Sequence, residues 1–318
     1  MEDYFNFKLL VIFFINIFLF SNFKIIGKYL NAYDKNDFIR LNKKIFLIGG
    51  VIIFINILII FFFFDKSNLI KNSLIIGSFF IFLLGFIDDK YNLNANLKLI
   101  ITILILFFIL SFDDQLLIKK LEFQFLNFSV STYPITIYFT ILCLALYLNA
   151  LNMFDGINLQ CGIYSIIILI YFFILSNNII FLVLISALIP FLYYNYQNKI
   201  YLGDSGSLLL GFFFSYFFIK FYNSNLIQNV EEIFILMGIP GIDMFRLFCE
   251  RIYNKKNPFK KDNRHLHHML IRKFSFSHSI LIIQTLFLTS LFLYFYTNFI
   301  VSLIFLLSVY FFIMVKIK

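Results

Sequence analysis

Runs of about twenty consecutive apolar residues recur along almost the whole of this sequence, and they limit the possible folds more than any other feature. A helix needs ~20 mostly apolar residues to cross ~30 Å of hydrocarbon. Eleven such segments can be drawn, at 7–26, 45–64, 70–87, 97–112, 134–150, 162–176, 179–195, 207–222, 230–248, 275–294 and 298–316. Hydrophobic residues make up 61% and charged residues 14%, against ~45–50% and ~25% in soluble domains. A soluble globular protein and a disordered chain are both excluded. The expected architecture is all-α, a polytopic integral membrane protein with about 11 transmembrane helices. Residues 1–318 show no internal repeat and no low-complexity linker, so one membrane domain is the simplest description. Trp is absent, so an interfacial aromatic belt has to draw on the 19 tyrosines. The partner implied throughout is a lipid bilayer.

The formal charge of +9 is distributed unevenly. If the N-terminus is placed outside, 20 of the 26 Lys and Arg residues fall on one side of the membrane. That side includes Lys24 to Lys44, Lys90, Lys98, Lys199, the cluster from Arg246 to Lys273, and Lys316 and Lys318. Excess base marks cytoplasmic loops, so it implies membrane orientation rather than nucleic-acid binding. The expectation is a multi-pass protein of a bacterial plasma (inner) membrane, with its N-terminus outside and C-terminus cytoplasmic. Cys143, Cys161 and Cys249 are isolated and form no disulfide framework. The opening MEDYFNFK lacks the basic region of a cleavable signal peptide, so the first span is expected to remain. Alternation at Leu121-Glu122-Phe123-Gln124-Phe125 suggests a hairpin on the outer side within 113–133.

Four polar clusters interrupt the apolar background, all on the predicted cytoplasmic side. In the first, Asp88 and Asp89 end a span and Lys98 begins the next. Carboxylates at membrane depth are costly and read first as functional; a solvated helix end is the bland alternative. Lys98 either pairs with the acids or holds a phosphate. In the second, Asn149, Asn152, Asp155 and Asn158 recur every three residues, which places helical neighbours on one face. A polar seam between helices would look the same. The third is Tyr201-Leu202-Gly203-Asp204-Ser205-Gly206-Ser207. It leads into a helix whose N-terminal N–H groups suit phosphate, or it is simply capped by Asp204 or Ser207. The fourth joins Asp243 and Arg246 to Arg251 and to the run Asn257 to His268, where His265, His267 and His268 lie beside Arg264. No further Cys or His stands at zinc-ligand spacing, so a basic, hydrogen-bonding loop for an anionic substrate fits better.

If Asp88, Asp89, Asp155 and Asp204 converge, their charges repel unless a cation neutralises them. Oxygen-only ligands suit Mg²⁺, with Mn²⁺ as the alternative. Mg²⁺ commonly brings waters and a phosphate substrate. Mg²⁺, basic residues and a lipid surface together point to phosphoryl transfer to or from a lipid, at an active site on the cytoplasmic face.

In their order along the chain, GFIDDKYNLNANLKL, NALNMFDGIN, YLGDSGSLLLG and IPGIDMFR with the later NPFKKDNRHLHH resemble the motifs of the polyprenyl-phosphate N-acetylhexosamine-1-phosphate transferases. The HLHH form is more similar to the branch that uses UDP-GlcNAc than to the pentapeptide-transferring branch. The resemblance implies that an undecaprenyl-phosphate-type lipid attacks the β-phosphate of a UDP-N-acetylhexosamine and releases UMP. The lipid-diphosphate sugar so formed would initiate a cell-envelope polysaccharide such as O-antigen. By motif position, Asn152 and Asp204 would bind Mg²⁺. Asp88 and Asp89 would position or deprotonate the lipid phosphate, and Asp155 would complete the polar site. Lys98 would neutralise phosphate, with Asn149, Arg264, His265, His267 and His268 on the substrate. A homodimer is also within the family's habit.

The sequence departs from the family pattern in two places. The family often has Asp-Gly-(Ile/Leu/Phe)-(Asp/Asn)-Gly-Leu, whereas here Asn158-Leu159-Gln160 lacks the second Gly. The usual Pro-Arg-Gly-Gly-like run of the first loop reads Asn42-Lys43-Lys44-Ile45-Phe46-Leu47-Ile48-Gly49-Gly50, keeping the glycines but not the Pro-Arg. Three competing functions fit less well. A transporter would place ionisable residues near mid-membrane, an aspartate-rich prenyltransferase would need two Asp-rich diphosphate sites, and a scaffold needs no same-side motifs.

Overall fold

The computed structural model describes residues 2–34, 44–64, 72–255 and 264–317. Lys35, Arg40, Asn42, Lys43, residues 70 and 71 of an expected span, the stretch Asn257 to Asn263, and Lys318 lie outside the described residues. With no water in hydrocarbon to satisfy the backbone, an apolar chain must close its hydrogen bonds internally, and helices do so. Fourteen helices are described: α1 Glu2–Ser21, α2 Phe23–Leu30, α3 Gly49–Phe64, α4 Asn72–Tyr91, α5 Ala95–Phe112, α6 Thr136–Phe154, α7 Gln160–Ser176, α8 Ile180–Tyr196, α9 Gly203–Asn223, α10 Val230–Leu236, α11 Gly238–Tyr253, α12 Leu266–Lys273, α13 Phe276–Tyr296 and α14 Phe299–Ile317.

Six of them (α4, α5, α6, α9, α13 and α14) are long and apolar enough to cross a membrane, and α1 with α2, bent by 63°, would make a seventh. Helices α3, α7 and α8 are apolar but only 16 or 17 residues long, about 25 Å at 1.5 Å per residue. The all-α, multi-pass class therefore stands, while helix length supports six or seven of the eleven expected spans. The expected span 230–248 is broken at Met237 into α10 and α11. Pro240 falls in the first turn of α11, where a missing N–H removes no helical hydrogen bond.

Helix α9 is the axis of the molecule. It packs against α3, α4 and α6, and its side chains from Ser205 to Phe218 are all buried. Phe213 and Phe217 (centroids 4.7 Å apart) meet Phe181 and Phe172 of the neighbouring helices, with Phe181–Phe217 at 4.9 Å. Such tilted and edge-on pairs add ~0.5–1.5 kcal/mol each beyond the area they bury. Polar side chains join α1, α3 and α8: the Asn16 amide donates to Asn56 Oδ1 and to Ser186 Oγ, both at 3.0 Å. Buried amides and hydroxyls join helices in this way where hydrophobicity offers no contrast with lipid.

Two short sheets complete the fold. Strands β2 (Lys120–Phe123) and β3 (Phe128–Ser131) form an antiparallel hairpin, as the alternation in that segment suggested. Strands β1 (Phe46–Leu47) and β4 (Ile200–Tyr201) pair in parallel, Phe46 with Ile200 and Leu47 with Tyr201. The pairing continues as Gly50 N–H donates to Leu202 O at 3.0 Å. It fixes the entry to α3 beside the entry to α9, where the first and third motif segments meet.

Candidate active site

Asp88 and Asp89 lie in the last turn of α4, and Asp204 in the first turn of α9. The tight packing of these two helices brings their ends together across more than a hundred residues of sequence. Asp88 is 4% exposed. Its Oδ1 accepts from Leu93 N–H at 2.7 Å, and its Oδ2 accepts from Lys98 Nζ at 2.8 Å. Lys98, also buried, donates to Asp204 Oδ2 as well. One ammonium therefore bridges two carboxylates from two helices, which offsets the cost of burying Asp88 and Lys98 beside the half-buried Asp204.

Asp89 turns to the entry of α9. Its carboxylate accepts the N–H of Asp204 (2.7 Å), the N–H of Ser205 (3.1 Å) and the hydroxyl of Ser205 (2.7 Å). It thus caps α9 from another helix. Neither Asp204 nor Ser207 is the cap, and two of the helix-end N–H groups read above as a phosphate site are already satisfied. Gly203 makes the approach possible: its φ is +77°, and a Cβ there would lie 2.6 Å from Asp89 Oδ2.

The Asn149–Asn152–Asp155 stripe does not converge. Asn149 Nδ2 turns back to Ala145 O of its own helix at 2.7 Å, outside the acidic pocket. Asn152 Nδ2 donates to Ser207 Oγ at 2.8 Å, joining α6 to α9 through its nitrogen and not its oxygen. Asp155, just past the end of α6, lines the pocket with Asp88, Asp89 and Asp204. Its carboxyl is pushed up to about 8, first by lost hydration and then by the negative Asp204 and Asp89.

The pocket encloses about 490 Å³. Its far wall is an amide clamp that the sequence reading missed. Asn195 Oδ1 accepts from Leu159 N–H (2.6 Å), its Nδ2 donates to Ile200 O (2.9 Å), and its backbone oxygen accepts from Asn158 Nδ2 (2.8 Å). Leu159 has φ +68°. It stands where the family pattern has its second Gly, so the left-handed turn is kept with a leucine in it. Isolated asparagines in an apolar chain were the only signal for Asn195.

The histidine segment lies against this pocket without lining it among the described residues. His265 Nδ1 donates to Asp243 Oδ2 at 2.8 Å, and the backbone oxygen of Arg264 accepts from Arg246 Nη2 at 2.8 Å. The Arg264 guanidinium pairs with Glu250 at 3.5 Å. His267 is 1% exposed, and neither ring nitrogen has a hydrogen-bond partner among the described residues. Burial, then the neighbouring His268, pulls its imidazole down to about 3. It packs on the turn after Asp155 so closely that a Cβ on Gly156 would be 1.8 Å from Nε2. His268 meets His267 edge-on with centroids 4.3 Å apart and stays partly exposed.

Among the described residues, no three His, Cys, Asp or Glu side chains are grouped closely enough to hold a metal ion by themselves. Mg²⁺ does not require three, since it commonly binds one or two carboxylates plus waters and substrate phosphates. The all-oxygen set of Asp204, Asp155 and the Asn152 amide oxygen therefore fits it in kind.

Fold and site together define a multi-pass helical membrane protein with a carboxylate-lined, lysine-bridged pocket at the ends of its helices. Residues 72–222 match the model of glycosyl transferase family 4. That segment carries Asp88, Asp89, Lys98, Asn152, Asp155 and Asp204. The chain is 31% identical over 224 residues to a probable undecaprenyl-phosphate N-acetylglucosaminyl 1-phosphate transferase of Bacillus subtilis, covering 66% of this chain and 61% of that protein. It is 28% identical over 261 residues to the undecaprenyl-phosphate alpha-N-acetylglucosaminyl 1-phosphate transferase of Thermotoga maritima, covering 81% and 79%. Against the protein of that name in Escherichia coli K12 it is 23% identical over 278 residues, covering 81% and 75%. The chain is similar to these transferases across the segment that matches glycosyl transferase family 4.

Proposed function

We propose that this protein transfers N-acetylhexosamine 1-phosphate from a UDP-N-acetylhexosamine to polyprenyl phosphate, releasing UMP. A phosphate oxygen of the lipid forms a bond to the β-phosphorus, and the bond from that phosphorus to the oxygen bridging it to the α-phosphate breaks. The bridging oxygen leaves with UMP. The observation that carries this reading is the bridge from Asp88 through Lys98 to Asp204, beside Asp155. It is a largely buried set at helix ends in which one ammonium faces two carboxylates, leaving negative charge for a cation to neutralise, within the segment that matches the family.

The roles follow from which atoms are already engaged. Both oxygens of Asp88 and both of Asp89 accept hydrogen bonds within the protein, which supports placement of the site over proton abstraction. A phosphate monoester has its second pKa near 6, so the acceptor is largely ionised at neutral pH without a base. Lys98 would turn its ammonium toward phosphate oxygens as substrate enters. Asp204 and the Asn152 oxygen would hold Mg²⁺ or Mn²⁺, with Asp155 beside them. The ion would supply charge neutralisation on the diphosphate. Arg264 and His268 are the members of the histidine segment with surface left to meet the sugar nucleotide.

The 20 of 26 basic residues on one side support a cytoplasmic site, an external N-terminus and a cytoplasmic C-terminus in a bacterial plasma membrane. The position of the acids at helix ends disfavours transport. The test is UMP release by purified protein in detergent, given undecaprenyl phosphate, Mg²⁺ and a panel of UDP-N-acetylhexosamines. Lipid-dependent UMP that is lost in Asp204→Ala supports the reading. No UMP from any donor, with folded protein, refutes it.

A further inference from the structure

Tyr310 lies mid-way along α14, a helix that contributes no residue to the acidic pocket. It is fully buried. Its hydroxyl accepts from Arg246 Nε at 2.7 Å and donates to Asp243 Oδ1 at 2.6 Å. Arg246 sends Nη2 to Asp243 Oδ1 (2.9 Å) and to Arg264 O (2.8 Å), and Nη1 to Glu250 (2.9 Å). Asp243 in turn receives His265 Nδ1 and, at 3.1 Å, the backbone N–H of Leu266. The charged groups of α11 thus reach the histidine segment only in one orientation of the Arg246 fork, and Tyr310 sets that orientation from outside the helix. A phenyl ring in its place would leave Arg246 Nε–H without that acceptor in a buried site and take one donor from Asp243.

We propose that Tyr310 is a positioning residue, holding Arg264 to His268 in register over the Asp155-Gly156 turn through Arg246 and Asp243. Its functional consequence rests on the sugar-nucleotide reading above. If that segment meets the UDP-sugar, loss of the hydroxyl weakens donor use and leaves lipid use alone.

The test compares Tyr310→Phe with Leu306→Ala. Leu306 is buried one turn earlier on the same face of α14 and makes only packing contacts. Loss of a hydrogen bond to a charged group is worth about tenfold in an equilibrium. Y310F is therefore expected to speed hydrogen exchange at the Leu266 amide and across residues 264–270 by about that factor. It should raise KM for the UDP-sugar similarly, with KM for polyprenyl phosphate unchanged. L306A is expected to lower thermal stability without either effect. Unchanged exchange in Y310F, or equal exchange in L306A, overturns the proposal. A wild-type protein that releases no UMP refutes the catalytic reading and leaves the exchange result to decide the role of Tyr310. If Y310F does not fold, Arg246→Lys, which cannot span Tyr310, Asp243 and Arg264 O together, gives the same exchange test.

Discussion

Leu159 has φ +68° at the start of α7, and replacing it separates two effects that usually travel together. For an L-residue the left-handed region costs ~1–2 kcal/mol. Glycine escapes that cost but loses ~0.5–1 kcal/mol of extra backbone entropy on folding. Leu159→Ala removes the side chain and keeps the strain, whereas Leu159→Gly removes both. The Gly variant should therefore be the more stable of the two by about 1 kcal/mol. The clamp from Asn195 Oδ1 to Leu159 N–H, at 2.6 Å, is backbone-directed and survives in either. Thermal unfolding in detergent is the assay, with an expected separation of about 2 °C for a chain of this size. In a right-handed helical position Ala would win by about 1 kcal/mol. An Ala variant as stable as Gly, or more so, would show that residue 159 does not occupy the left-handed region and would refute the strain argument.

Lys98→Met should destabilise by about 3 kcal/mol, because Asp88 is left charged and buried. Adding Asp88→Asn should recover much of the loss in a double-mutant unfolding cycle, with UMP release absent in both variants. Gly156→Ala places a Cβ 1.8 Å from His267 Nε2 and should cost about 2 kcal/mol as an overpacked contact. Melting of Gly156→Ala in a His267→Ala background should show most of that cost removed. The pH dependence divides by residue. His267 falls from 6.5 to about 3 on folding, so its contribution is present above pH 6.5 and is lost as pH drops toward 3. The loss amounts to about 1.4 kcal/mol per unit. Asp155 rises to about 8, so its contribution runs the other way and is lost as pH rises through 8. Stability measured from pH 5 to 7 should rise less steeply with pH in His267→Gln than in the wild type, and more steeply in Asp155→Asn.

The membrane class, the four motif segments and their acids were legible because each depends on local chemistry. An apolar run about twenty residues long must become a helix in lipid whatever surrounds it, and an Asp at such a helix end stands out against the background. Asp88, Asp89, Asp155 and Asp204 could be named on that ground alone, while their meeting in one pocket is a fact of the fold. Hydropathy makes 230–248 one span, yet the helix breaks at Met237 and Pro240 takes the first turn of the second piece.

Side-chain partnership was decided only by tertiary structure. Asp89 looked like half of an acidic pair, yet it caps α9 because α4 and α9 end at the same place. Asn149 looked like part of a polar stripe, yet its amide bonds to Ala145 of its own helix. Asn195 and Tyr310 carried no pattern, because their roles come from hydrogen bonds to residues 36 and 67 positions away. The sequence by itself determined which residues were too polar for their surroundings. The packing of α9 against its neighbours decided which partner satisfied each of them, since a buried polar atom takes whatever group the fold places within 3 Å, and sequence distance does not encode that.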